Sequence, residues 1–232
     1  MDQYWPEIIA GAKIVWIDLI LSGDNAVVIA LACRGLPERQ RKWGIALGAL
    51  AAILLRIIFA LLVVQLLTIP FLKVAGGLLL LRIAVNLVAG HDDSHGDIRE
   101  SGKLWQAIWT VAVADAVMSL DNVIAIAAVA QDHVGMLIFG LALSIPLIVL
   151  GANLLLNLLG RFPFLVWAGA GLLGWVSGTM MITDYWVVGQ IGQDAVHTWE
   201  SVAGAAGAVL VLAVAYAVLK SRGRPVSLRP PA

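Results

Sequence analysis

Asp18, Ser22, Asp24 and Asn25 recur as Asp115, Ser119, Asp121 and Asn122 at a constant offset of 97. Carboxylate, amide and hydroxyl oxygens are hard ligands, suited to Mg²⁺, Ca²⁺ or Mn²⁺. No histidine or cysteine accompanies either motif, which argues against zinc, copper and nickel. Met118 lies inside the second copy and could favour a slightly softer ion, although its counterpart is Leu21. Both motifs straddle the centres of long apolar stretches. There each ionised side chain costs at least about 2.5–3.5 kcal/mol on insertion scales. Four such aspartates need cations or protons to neutralise them. The competing structural reading is that they only form interhelical hydrogen bonds or pair with Arg56 and Arg82. On an ideal helix, positions i, i+4 and i+7 share a face. Asp18, Ser22 and Asn25 therefore align, as do Asp115, Ser119 and Asn122, while Asp24 and Asp121 point away. A break near Ser22-Gly23 would bring Asp24 back; the second copy has Leu120 in place of Gly23.

The elements that must hold these residues are membrane helices. Of 232 residues, 61% are hydrophobic and only 13% charged, and the mean hydropathy is +0.93. A soluble domain carries roughly twice that charged fraction. The formal net charge of zero gives no reason to expect a nucleic-acid partner, and the single cysteine, Cys33, excludes an internal disulfide framework. The N-terminal residues lack the basic segment of a cleaved signal peptide, so the first apolar stretch is expected to stay as a helix. Apolar runs at 8–33, 44–67, 71–89, 104–130, 136–159, 164–183 and 202–219 each approach the ~20 residues that span a bilayer. They lack the alternation of a barrel strand. The expected fold is an all-α membrane protein with seven transmembrane helices in one domain over 1–220. A cytoplasmic loop follows at 90–103 and a disordered basic tail at 221–232.

Charge sets the expected orientation. Arg34, Arg39, Arg41, Lys42, Arg99, Lys103, Arg161, Lys220, Arg222, Arg224 and Arg229 all fall on one side of a seven-span arrangement. The connections around 68–70, 131–135 and 184–201 hold no lysine or arginine. The positive-inside rule then puts the N-terminus outside and the C-terminus in the cytoplasm. Pro70-Phe71-Leu72 also recurs as Pro163-Phe164-Leu165, collinear with the acidic motif. Residues 8–89 and 104–183 thus read as two three-helix repeats with helix seven, at 202–219, appended. An odd number of spans per repeat makes them inverted, the arrangement in which transporters place sites near the midplane.

Other features carry blander readings. Arg56 and Arg82 are expected to serve helix pairing; Asn86, Asn153 and Asn157 interhelical hydrogen bonds; and the glycine-rich runs at 76–77 and 169–174 close helix packing. The stretch from His91 to Asp97 reads as a solvated linker, with metal capture as the alternative. His133 and His197 are isolated and external, and the tail suits anionic lipid. Of nine tryptophans, Trp5, Trp43, Trp105 and Trp199 lie near span ends as interfacial anchors.

The paired segments Ser22-Gly23-Asp24-Asn25-Ala26-Val27-Val28-Ile29-Ala30 and Ser119-Leu120-Asp121-Asn122-Val123-Ile124-Ala125-Ile126-Ala127 resemble the TerC family of membrane proteins. The chain looks like the short, YjbE-type bacterial members, and the resemblance implies a place in the broader LysE exporter superfamily. The resemblance implies manganese efflux across the plasma membrane. It implies Asp18, Asp24, Asn25, Asp115, Asp121 and Asn122 as ion-binding residues, with Ser22 and Ser119 in support. The expectation is a secondary transporter that exports Mn²⁺, with the four aspartates exchanging it for protons and no tightly bound cofactor. The alternative is an accessory protein that binds insertion or secretion machinery or supplies metal to exported enzymes. An amino-acid exporter is a third reading, disfavoured because a zwitterion also needs a partner for its carboxylate. Beyond Mn²⁺, protons and the bilayer, a homodimer and a secretion-machinery contact are the partners expected. No nucleophile–base pair points to an enzyme.

Overall fold

In the computed structural model, residues 23–67, 69–89, 100–130, 134–162 and 164–222 are described. The described residues form eight helices and no strand. They are α1 (Gly23–Cys33), α2 (Glu38–Leu67), α3 (Leu72–Ala89), α4 (Glu100–Ala130), α5 (Val134–Arg161), α6 (Phe164–Ile182), α7 (Tyr185–Ile191) and α8 (Gln193–Ser221). Among the described residues, four stretches are long and apolar enough to cross a membrane: Glu38–Phe59, Leu72–Ala89, Phe164–Ile182 and Gln193–Ser221. The chain divides into two compact units, 1–66 with 104–155 and 67–103 with 156–232.

The first unit contains α1, α2, α4 and most of α5. Pro37 immediately precedes α2, where its lack of an N–H is harmless, and its carbonyl accepts from Gln40 and Arg41 at 2.9 and 2.8 Å. Arg41 reaches back from this first turn to the Leu36 carbonyl at 3.2 Å, tying the α1–α2 connection to α2. Along α2, Leu47, Leu50, Leu54 and Ile58 are exposed while Ile45, Ala49, Ala52, Ile53 and Arg56 are buried. A leucine-rich stripe faces outward, as lipid requires, and the opposite face, which carries Ile45, Ala49, Ala52, Ile53 and Arg56, packs against protein. Gly44 lies against Leu104, and Gly48 against Val111, where an added methyl would come within 3.2 Å. With Arg56 bonded to Asp115 further along, both sequences advance together, so α2 and α4 run parallel.

The second unit contains α3, α6, α7 and α8. Here helix packing is backbone against backbone. A methyl on Gly174 would lie 2.6 Å from the Gly207 carbonyl oxygen, and one on Gly178 would collide with the Ala203 carbonyl. The small residues at these positions let α6 and α8 close without intervening side chains. Ser177 donates to the carbonyl of Gly77, joining α6 to α3. The pairings 174 with 207 and 178 with 203 make α6 antiparallel to α8. Contacts of Gly77 with Ser177 and Met181, and of Lys73 with Asp184, make it antiparallel to α3 as well.

The last span differs from the sequence reading. It was expected at 202–219; α8 begins at Gln193 instead, and α7 fills part of the expected external connection. Asp194, His197 and Glu200 end the apolar run without ending the helix. Gly192, at φ +81°, makes the corner between α7 and α8 in a backbone region that side chains disfavour. At the other end of α7, its N-cap residue Asp184 is fully buried. Its carboxylate accepts from the Phe71, Lys73 and Val74 amides of the α3 entry at 3.1, 3.0 and 3.4 Å. It also accepts from the Trp186 amide of α7 at 2.9 Å. One aspartate thus caps two helix N-termini. It helps hold Phe71 at φ +63°, where the ring packs on Trp186 with centroids 4.8 Å apart.

Candidate intramembrane ion site

The second acidic motif sits in the middle of α4, which runs unbroken through 115–122. Helical spacing puts Asp115 and Ser119 on the face that α4 turns to α2. There the buried Arg56, 1% exposed, donates from Nη2 to Asp115 Oδ1 at 2.5 Å. Its Nε donates to Ser119 Oγ at 3.1 Å, and Ser119 Oγ in turn donates to Asp115 Oδ2 at 3.2 Å. Both carboxylate oxygens are thereby engaged through Arg56 and Ser119. A carboxylate and a guanidinium that have both left water need such geometry, because their desolvation otherwise outweighs their attraction.

Of the first motif, Asn25 lies within α1 and is buried, 3% exposed. Asp24 belongs to the first turn of that helix. The side chains of Asp24, Asp121 and Asn122 lie outside the described residues, as do Asp18 and Ser22 altogether. The expected meeting of the four carboxylates, and the expected break before Asp24, therefore fall outside the described part. Among the described residues, no three histidine, cysteine, aspartate or glutamate side chains gather to hold a metal. Asp115 and Ser119 are expected ligands whose hydrogen bonds are described. Their oxygens fit a hard cation in kind, and a guanidinium sits on them.

The two arginines singled out in the sequence part company. Arg56 pairs with an aspartate, the possibility raised by its place in an apolar helix. Arg82 is exposed and borders a groove of about 290 Å³ with Asn86, Leu81, Val85, Leu210, Val211 and Val214. No carboxylate among the described residues lies in that groove. Asn153 is exposed and donates to the Val149 carbonyl of its own helix at 2.7 Å, so it makes no interhelical bond there. Asp184 was not singled out by sequence reasoning. The available signal was an acidic residue just before a helical stretch, an N-cap pattern, which the absence of lysine and arginine nearby overshadowed.

A family model described as integral membrane protein TerC family matches residues 4–224. The chain belongs to the TerC family. A relative from Bacillus subtilis (strain 168), named uncharacterized membrane protein YjbE, is 45% identical over 171 residues, covering 74% of this chain and 78% of the relative. YceF from the same organism, also named an uncharacterized membrane protein, is 29% identical over 174 residues, 71% of this chain and 67% of that protein. The Escherichia coli (strain K12) UPF0053 protein YegH is 26% identical over 181 residues, which are 69% of this chain but 34% of YegH. No solved structure matches. A TerC chain with several membrane-length helices is a multi-pass membrane protein.

Proposed function

We propose that this TerC protein is a secondary transporter that exports Mn²⁺ from the cytoplasm in exchange for protons. The observation that carries the reading is Asp115: a carboxylate at the centre of a membrane-length helix, buried to 3% exposure and held by a hydroxyl and a guanidinium. Intramembrane acids are expensive to insert and mark ion pathways by default. The doubled motif supplies Asp18, Asp24, Asn25, Asp121 and Asn122 as the further oxygen ligands. An oxygen-only set suits a hard divalent cation; manganese, and the outward direction, rest on the TerC resemblance.

The topology we propose has seven spans, with the N-terminus outside and the C-terminus in the cytoplasm. Parallel α2 and α4 require an odd number of crossings between the end of one and the start of the other, which α3 supplies. The antiparallel order of α3, α6 and α8 within their unit agrees with alternating passes. The inverted repeat draws support from the way the chain divides. It leaves the first unit after residue 66 in one half and after residue 155 in the other. In each half the first two helices belong to one unit and the third to the other. Carboxylates freed of Mn²⁺ would take up protons, so that neither loaded nor empty site carries the full charge penalty. Transport assays of the purified protein in liposomes, with and without an imposed pH gradient, test this. Mn²⁺ flux that ignores the gradient would remove the proton coupling.

A further inference from the structure

We infer that Arg56 is a tethered counter-cation of the transport site, occupying Asp115 when the divalent cation is absent and giving way when it binds. The inference rests on the export reading. A carboxylate at mid-membrane depth that stays ionised needs a positive partner whenever the transported cation is absent. A group already paired with an arginine does not have to take up one of the exchanged protons. In the state seen here that partner is Arg56, with Nη2 on one Asp115 oxygen and Nε on Ser119, whose hydroxyl serves the other oxygen. A divalent cation takes its oxygen ligands at about 2.0–2.6 Å. At Asp115 Oδ1 it would stand within a few ångströms of a full guanidinium charge, so cation and guanidinium compete for the same carboxylate.

The pairing is one-sided in the sequence. The offset falls to 93 by Pro70 and Pro163, because the connection after residue 130 is shorter than the one after residue 33. The counterpart of Arg56 in the second half is therefore Val149, an uncharged residue. A clamp demanded by the helix packing of both halves would recur; this one does not. The consequence is a site whose affinity is held down by a built-in competitor. That suits an exporter, which has to let its cargo go on the far side. Arg56 touches the proposed ligands rather than the cargo, and acts by positioning and by charge.

The test measures the half-saturating Mn²⁺ concentration for flux into proteoliposomes, for wild type, Arg56→Gln and Arg56→Lys. Glutamine keeps a hydrogen-bond donor without the charge. It should lower half-saturation by about tenfold or more, and slow the maximal rate as release becomes limiting. Lysine keeps the charge but loses the two-pronged grip, and should lower half-saturation by roughly threefold. A second readout is melting temperature in detergent. Mn²⁺ should stabilise Arg56→Gln more than wild type, because the ion replaces the missing guanidinium, and matched Na⁺ should not. A purely structural ion pair would show no such rescue. Wild-type flux with unchanged or higher half-saturation in both variants, and no extra Mn²⁺ stabilisation, would overturn the role of Arg56 while leaving export intact. No divalent flux by folded wild-type protein would remove both.

Discussion

Replacing Asp184 with alanine should loosen the α3–α7 corner by an amount that can be worked from its bonds. Three backbone amides lie at 2.9–3.1 Å from the carboxylate, those of Phe71, Lys73 and Trp186, and a fourth, Val74, at 3.4 Å. Hydrogen bonds to a charged group each contribute about 1.5–3 kcal/mol, and an N-cap alone about 1 kcal/mol. The contributions overlap, since water can enter once the carboxylate is gone, and the long fourth bond adds little. A loss of about 3–5 kcal/mol is therefore expected for Asp184→Ala, against about 1–2 kcal/mol for Asp184→Asn, which keeps one acceptor oxygen. Phe71 adds to the alanine effect. Its left-handed backbone is unfavourable by roughly 1–2 kcal/mol and loses an anchoring bond. Thermal unfolding in detergent, followed by tryptophan fluorescence, measures the total. Hydrogen exchange at the amides of Phe71, Lys73, Val74 and Trp186 shows whether the loss is local. An alanine variant within about 1 kcal/mol of wild type, with exchange unchanged at these amides, would refute the double-cap reasoning.

Two other expectations address packing and topology. Gly174→Ala and Gly178→Ala put a methyl against the backbone of α8 and should each destabilise the protein by roughly 1–3 kcal/mol. Gly171→Ala, whose methyl would meet only Leu212 at 3.7 Å, should be nearly neutral in the same melting assay. In a Cys33→Ser background, a cysteine at Gln193 should react with an impermeant maleimide from outside the cell, and one at Arg222 only after the membrane is opened. The reverse pattern would invert the proposed orientation.

Much of this was legible in the sequence because lipid imposes simple rules. The membrane-length helices at 38–59, 72–89 and 164–182 showed as apolar runs, and the doubled motif showed as acids inside apolar sequence. Arg56 was conspicuous for the same reason, although its partner could be any of four aspartates until α2 and α4 were placed side by side. What hydropathy could not show was structure made by polar residues. The first turns of α8, with Asp194, His197 and Glu200, read as a connection because helix formation and membrane burial are separate properties. Asp184 gave no apolar signal; its importance comes from amides over a hundred positions away, at Phe71 and Lys73. The corner at Gly192 depends on a positive φ that many glycines could have supplied.

The most direct test of the export reading is Mn²⁺ flux in liposomes containing purified protein, with Mg²⁺ and Ca²⁺ as comparisons, for wild type and for Asp24→Asn, Asp115→Asn and Asp121→Asn. Each exchange removes a charge from a proposed ligand with little change in shape. The account predicts Mn²⁺ flux by wild type and its loss in all three variants, with each variant still folded and inserted. Normal flux in the variants would contradict the site, and a folded wild-type protein that moves no divalent ion would contradict the function.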